Sequence, residues 1–87
     1  MKIKKGFVIR EVAGENIAVP TGERAKYFRG MIKLNSTAKF MWDFFLEEHT
    51  EDEAVKALLA EYDVGEDDAI AGVRSFVKTA TDNGFME

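Results

Sequence analysis

Residues 30–46, GMIKLNSTAKFMWDFFL, hold the junction on which the fold turns. Gly30 to Leu34 is a short apolar run interrupted by one lysine, which predicts a third strand short enough to lie at a sheet edge. Asn35 or Ser36 follows as an N-cap, since a side-chain oxygen there can accept from a free N–H of the first helical turn. Behind it Ala38, Met41, Trp42 and Phe45 fall at i, i+3, i+4 and i+7, the spacing of one buried helical face. This is the expected core helix, ending at Glu47, Glu48 and His49.

Upstream, 7–13 (FVIREVA) and 16–20 (NIAVP) are short, apolar and rich in β-branched residues, and Gly14-Glu15 between them predicts a hairpin with the glycine in the turn. Pro20 and Gly22 close the second strand, and TGERAKYFR, 21–29, is expected to be a connecting loop. Downstream, Thr50-Glu51-Asp52-Glu53 is a capping-box pattern that opens a second helix with Ala54, Val55, Leu58, Leu59 and Tyr62 on its buried stripe. Asp63-Val64-Gly65 breaks it. Glu66-Asp67-Asp68 then opens a third helix, where the positive end of the macrodipole favours carboxylates, and Gly84 is the expected C-cap with Phe85 folding back on the core.

On the third helix Ala69, Val73, Phe76 and Ala80 form one stripe, while Ile70 and Val77, with Arg74 and Thr81 beside them, lie about 90° around the cylinder. That second stripe is either the flank of a wide core face or the wall of a groove, and the residues alone favour the flank. The whole pattern predicts an α+β fold, a three-stranded antiparallel sheet followed by three helices, with the content of a winged helix-turn-helix-like domain but strands placed first.

With 87 residues and one proline, the chain fits a single domain over 1–87. The absence of cysteine excludes disulfides and cysteine-ligated metal or iron–sulfur sites. The basic start MKIKKGFVIREV loses its apolar character by Arg10, so neither a signal peptide nor a membrane span is expected and a cytoplasmic setting is the natural one. Net charge is −4, yet residues 1–39 carry nine Lys/Arg against three Asp/Glu, and residues 40–87 three against thirteen. The front half is basic and the back half acidic.

The chain offers little chemistry. His49 is the one histidine, at the end of an acidic helix with no second nitrogen or sulfur ligand, and a helix-end residue favoured by the negative dipole explains it. The clusters Glu51-Asp52-Glu53 and Glu66-Asp67-Asp68 lack the alternating ligands and central glycine of a calcium loop, and no phosphate-cradling glycine motif occurs. No catalytic residue, metal or cofactor is therefore expected, and the function is expected to be binding. Nucleic acid is a poor ligand for the third helix, whose first turn would present three carboxylates to a polyanion.

GFVIREVAGENIAVPTGE, then GMIKLNSTAKFMWDFF, then TEDEAVKALLAEYDV and a long last helix resemble the PqqD-like family, named for protein D of pyrroloquinoline quinone biosynthesis. The resemblance implies a recognition element for ribosomally made, post-translationally modified peptides. It implies that the leader of a precursor peptide adds as a strand to the third strand's edge, facing the last helix, and is presented to a modifying enzyme, often a radical S-adenosylmethionine protein. The expected peptide-binding residues are then Gly30, Met31, Ile32, Lys33, Leu34, Ile70, Arg74, Val77 and Thr81, the resemblance turning the second stripe from core flank to groove wall. Lys26, Arg29 and Lys33 nearby predict a leader with apolar anchors and acidic flanks. The same edge is also open to a second copy of the chain, and such a homodimer would compete with peptide. A small winged-helix DNA-binding regulator is the alternative.

Overall fold

The computed structural model describes residues 1–22 and 32–87. Strands β1 (Phe7–Val12), β2 (Glu15–Pro20) and β3 (Ile32–Leu34) form an antiparallel sheet in the order β1-β2-β3. Helices α1 (Ser36–Phe44), α2 (Glu51–Glu61) and α3 (Glu66–Asp82) follow, giving the α+β architecture expected from the sequence. Gly30 and Met31 of the expected third strand, and Lys26 and Arg29 of the expected loop, lie outside the described residues.

Alternation along the strands separates two faces. Ile9, Ala18 and Ile32 sit in one cross-strand row and Leu34 in the next, and all four turn toward the helices. Val8, Arg10, Val12, Ile17, Val19 and Lys33 turn the other way. The hairpin turn falls one residue earlier than expected: Val12 pairs with Glu15, leaving Ala13 and Gly14 as the two central residues. Both have positive φ, 53° and 80°, the geometry of a type I′ turn whose twist matches that of the strands it joins. Glycine takes that conformation freely, whereas Ala13 is strained by its Cβ.

Each helix start follows its local chemistry. Asn35 is the cap of α1, its Oδ1 accepting from the Ala38 N–H at 2.8 Å. Thr50 and Glu53 make both halves of the capping box, with Oγ1 accepting from Glu53 N–H at 3.1 Å and Oε1 from Thr50 N–H at 2.8 Å. α1 ends at Phe44, earlier than the Glu47–His49 expected, because its last turn tightens to an i→i+3 bond from Leu46 N–H to the Asp43 carbonyl. The chain then turns so that His49 N–H reaches the Met1 carbonyl. At the far end of α3, Gly84 adopts φ 76°, Gly84 N–H bonds to the Thr81 carbonyl and Phe85 N–H to the Ala80 carbonyl. This pair of bonds is a Schellman motif, and it returns Phe85 to the core.

Trp42, Phe45, Phe85 and Val73 are the largest fully buried side chains. Trp42 meets Phe85 edge-on at 5.2 Å between centroids, Phe85 meets Phe7 at 4.7 Å, and Phe45 stacks on Phe76 at 6.1 Å. Residues 1–4 add a tie that no periodicity announces. Ile3 is buried and forms an isolated bridge with Met86, its N–H bonds to the Phe45 carbonyl, and Lys4 N–H bonds to the Phe85 carbonyl.

The strain at Ala13 makes a direct prediction. Ala13→Asn creates the Asn-Gly pair that type I′ turns favour and should raise stability by about 1 kcal/mol, read as a higher urea midpoint with an unchanged m-value.

Candidate functional site

β3 is so short, and so directly followed by the Asn35 cap, that α1 leaves the sheet from its end. Among the described residues, β2 is the only strand paired with β3, and no strand pairs with its other edge. A groove of about 420 Å³ opens between β3 and α3. Ile32, Lys33 and Leu34 form one wall; Gly72, Ser75 and Thr79 form the other; Asn35, Thr37 and Ala38 line the start of α1. The floor is Met41, Trp42, Phe76, Ala80 and Phe85, all buried. No residue of β1 or β2 lines it, so the groove opens on the side of β3 away from its partner strand.

An apolar floor between a strand edge and hydroxyl-bearing walls suits an extended chain: backbone groups of a strand edge can pair with it, and alternate side chains can drop onto the floor. Lys33 is the one residue with an ionisable side chain among the described lining residues, and that side chain turns to the opposite face of the sheet. Its ammonium lies 3.0 Å from Glu15 Oε1, with the two side chains 69% and 53% exposed.

Of the residues expected to bind peptide, the structure brings Ile32, Lys33 and Leu34 into this groove. Ile70, Arg74, Val77 and Thr81 do not line it. At about 100° per residue, Gly72, Ser75 and Thr79 lie to one side of Phe76 around the helix, and Val77, Ile70, Thr81 and Arg74 to the other. Val77 packs against the core, Ile70 is half-buried, and Arg74 and Thr81 are exposed. Gly72, Ser75 and Thr79 escape a hydropathy reading because small polar residues at that spacing look like ordinary helix surface. Their only signal is smallness at i, i+3 and i+7, which lets a groove remain open beside β3.

The remaining candidates sit at or beside helix ends. His49 stacks on Phe44 at 4.0 Å, its Nδ1 3.7 Å from Glu53 Oε1. The Glu53 carboxyl is held below its ordinary range, chiefly by the Thr50 backbone N–H it accepts from, with smaller help from the Thr50 hydroxyl and from His49. Glu51, Asp52 and Glu53 occupy the first turn of α2, and Glu66, Asp67 and Asp68 that of α3. Among the described residues no three His, Asp or Glu side chains converge as a metal site would need, and no helix is long and apolar enough to cross a membrane.

Fold and groove together define a class: a small α+β domain with a strand edge and a last helix flanking an apolar-floored cleft. The chain belongs to the family described as Coenzyme PQQ synthesis protein D (PqqD), whose model matches residues 22–86. No curated protein sequence matches it. Two solved structures are similar in fold. TbiB1 in complex with the TbiA(beta) leader peptide aligns with a TM-score of 0.76 and 21% identity, covering 100% of this chain and 95% of that one. Lasso peptide synthetase B1 complexed with the leader peptide aligns with a TM-score of 0.74 and 19% identity, covering 99% and 95%. At such identities the likeness speaks for the fold.

Gly72 offers a test of how open the groove wall is. Among the described residues, a Cβ built there meets only Leu58 Cδ2, at 4.0 Å. Gly72→Ala should therefore stabilise α3 by about 0.5–1 kcal/mol through helix propensity alone, measured by urea denaturation; a loss of stability would show the wall to be packed.

Proposed function

We propose that this chain binds the leader segment of a ribosomally made precursor peptide and holds it, without catalysing a reaction itself, for a modifying enzyme. The leader lies extended in the groove between β3 and α3, adding as a fourth strand to the outer edge of β3. The observation that carries this reading is the groove itself, with an edge unpaired among the described residues on one side and an apolar floor beneath. Membership of the PqqD family supports it, as do two neighbours of the same fold whose names each include a leader peptide.

Strand addition gives affinity through main-chain hydrogen bonds, each contributing about 0.5–1.5 kcal/mol net, while the side-chain pockets select the sequence. The enzyme partner we propose is a radical S-adenosylmethionine protein, the partner that the family resemblance implies. The chain has no cysteine, so any iron–sulfur chemistry would belong to that partner. A homodimer through β3 would occupy the same edge and compete with the leader.

DNA binding is the weaker reading. The exposed carboxylates of Glu66, Asp67 and Asp68 fill the first turn of α3, where a recognition helix would meet phosphates. The two readings separate by titrating the chain with precursor leaders and, in parallel, with duplex DNA at rising salt. Leader binding with no duplex binding is expected; duplex binding that weakens with salt, and no leader binding, would overturn the proposal.

Ser75 and Arg74 distinguish the two flanks of α3. Ser75→Trp places an indole in the groove from an exposed helical position and should weaken leader binding by about tenfold or more, equivalent to 1.4 kcal/mol per decade. Arg74→Glu, on the other flank, should change affinity by no more than about twofold at moderate salt. Calorimetric titration checks both, and the reverse pattern would place the peptide on the Ile70–Arg74–Val77–Thr81 face.

A further inference from the structure

We infer that Lys33 sets the register of the added strand by pairing with an acidic side chain on the outer face of the sheet, so that the peptide class selected carries an Asp or Glu between two apolar anchors. The inference rests on the strand-addition reading and deepens it.

Three observations lead there. First, β3 points its side chains to two faces: Ile32 packs on the core and Leu34 is buried, whereas Lys33 is exposed on the opposite face. A residue of a new strand directly opposite Lys33 would stand on that same outer face, with Cβ atoms about 4.5–5.5 Å apart. Its neighbours on either side would point inward, over the floor of Met41, Trp42 and Phe76, where large apolar side chains are favoured. The alternation of the sheet thus dictates the order apolar, acidic, apolar.

Second, the outer face is short of negative charge. Arg10, Ile17 and Lys33 occupy one cross-strand row, and the adjoining rows pair Val8 with Val19 and Val12 with Glu15. Two cations face one described carboxylate, Glu15, which already lies 3.0 Å from Lys33. The Lys33 side chain is 69% exposed, leaving its remaining donors open to a second carboxylate. A strand added beyond Lys33 extends the Arg10–Ile17–Lys33 row by one residue, and a carboxylate there balances it.

Third, the same lysine works against the competing occupant of the edge. A second copy pairing antiparallel about a two-fold centred on Lys33 would set two ammonium groups opposite each other, an arrangement that destabilises a strand pair. Lys33 therefore favours an acidic peptide strand over self-association, combining attraction for one partner with repulsion of another.

The test uses the whole chain and a displayed library of random-sequence peptides, selected in parallel against the wild type, Lys33→Glu and Lys33→Gln. The wild-type pool should be enriched in Asp or Glu at one position flanked on both sides by Leu, Ile, Val or Phe. The Lys33→Glu pool should keep the flanking anchors and replace the acid with Lys or Arg; the Lys33→Gln pool should keep the anchors and show no charge preference. For a synthetic peptide from the wild-type pool, changing its acid to the amide should weaken binding to the wild type by about two- to fivefold and leave binding to Lys33→Gln unchanged, with the difference shrinking as salt rises. Anchors recovered with no acidic preference, or the same acidic preference in all three pools, would overturn the role of Lys33 while leaving peptide binding in place. No peptide recovered from any of the three proteins would overturn the peptide-binding reading together with it.

Discussion

The Trp42 indole is the contact on which the rest of the structure depends. It lies 2% exposed, edge-on to Phe85 from the C-terminal turn and to Phe7 from the first strand, so that one ring joins α1 to segments far from it in sequence. In a chain of 87 residues, with net stability of about 5–15 kcal/mol, an aromatic cluster at that crossing is a large share of what holds sheet and helices together. Phe85 reaches the ring only because Gly84 accepts a left-handed conformation and ends α3 with a Schellman turn. Backbone chemistry at one glycine and packing at one tryptophan are thus a single device.

The groove is a by-product of that packing. Trp42, Phe76 and Phe85 fill the centre, and the side of α3 that faces β3 carries Gly72, Ser75 and Thr79, which are too small to reach the strand. An apolar floor is left beneath a strand edge, flanked by hydroxyls. The floor is built from core side chains, so the packing that holds the fold together also shapes the bottom of the groove. Lys33, whose side chain turns to the opposite face of β3, is the one charged residue among the described residues that line the groove.

Much of this was legible in the residues. The strand-to-helix junction, a cap at Asn35 or Ser36, the Thr50–Glu53 capping box and the α3 stripe of Ala69, Val73, Phe76 and Ala80 are all local chemistry, and local chemistry is what a sequence displays. Features decided by the fold as a whole were not legible. The hairpin turn is centred on Ala13-Gly14 rather than Gly14-Glu15 because strand register outweighs the cost of an alanine at positive φ. The buried Ile3–Met86 bridge joins the two ends of the chain and has no periodic signature. Which flank of α3 faces β3 depends on how the helix is rotated in the assembled fold, and the small size of Gly72, Ser75 and Thr79 is the one mark that sets their flank apart from that of Ile70, Arg74, Val77 and Thr81.

The central claim is that an extended peptide pairs with β3. It is tested most directly by nuclear Overhauser contacts between the isotope-labelled chain and an unlabelled bound leader. The account predicts backbone-to-backbone contacts from Ile32, Lys33 and Leu34 to alternate residues of the peptide, with peptide side-chain contacts to Trp42 and Phe76. Contacts confined to other surfaces, or a bound peptide that is helical and makes no backbone contact with β3, would contradict it.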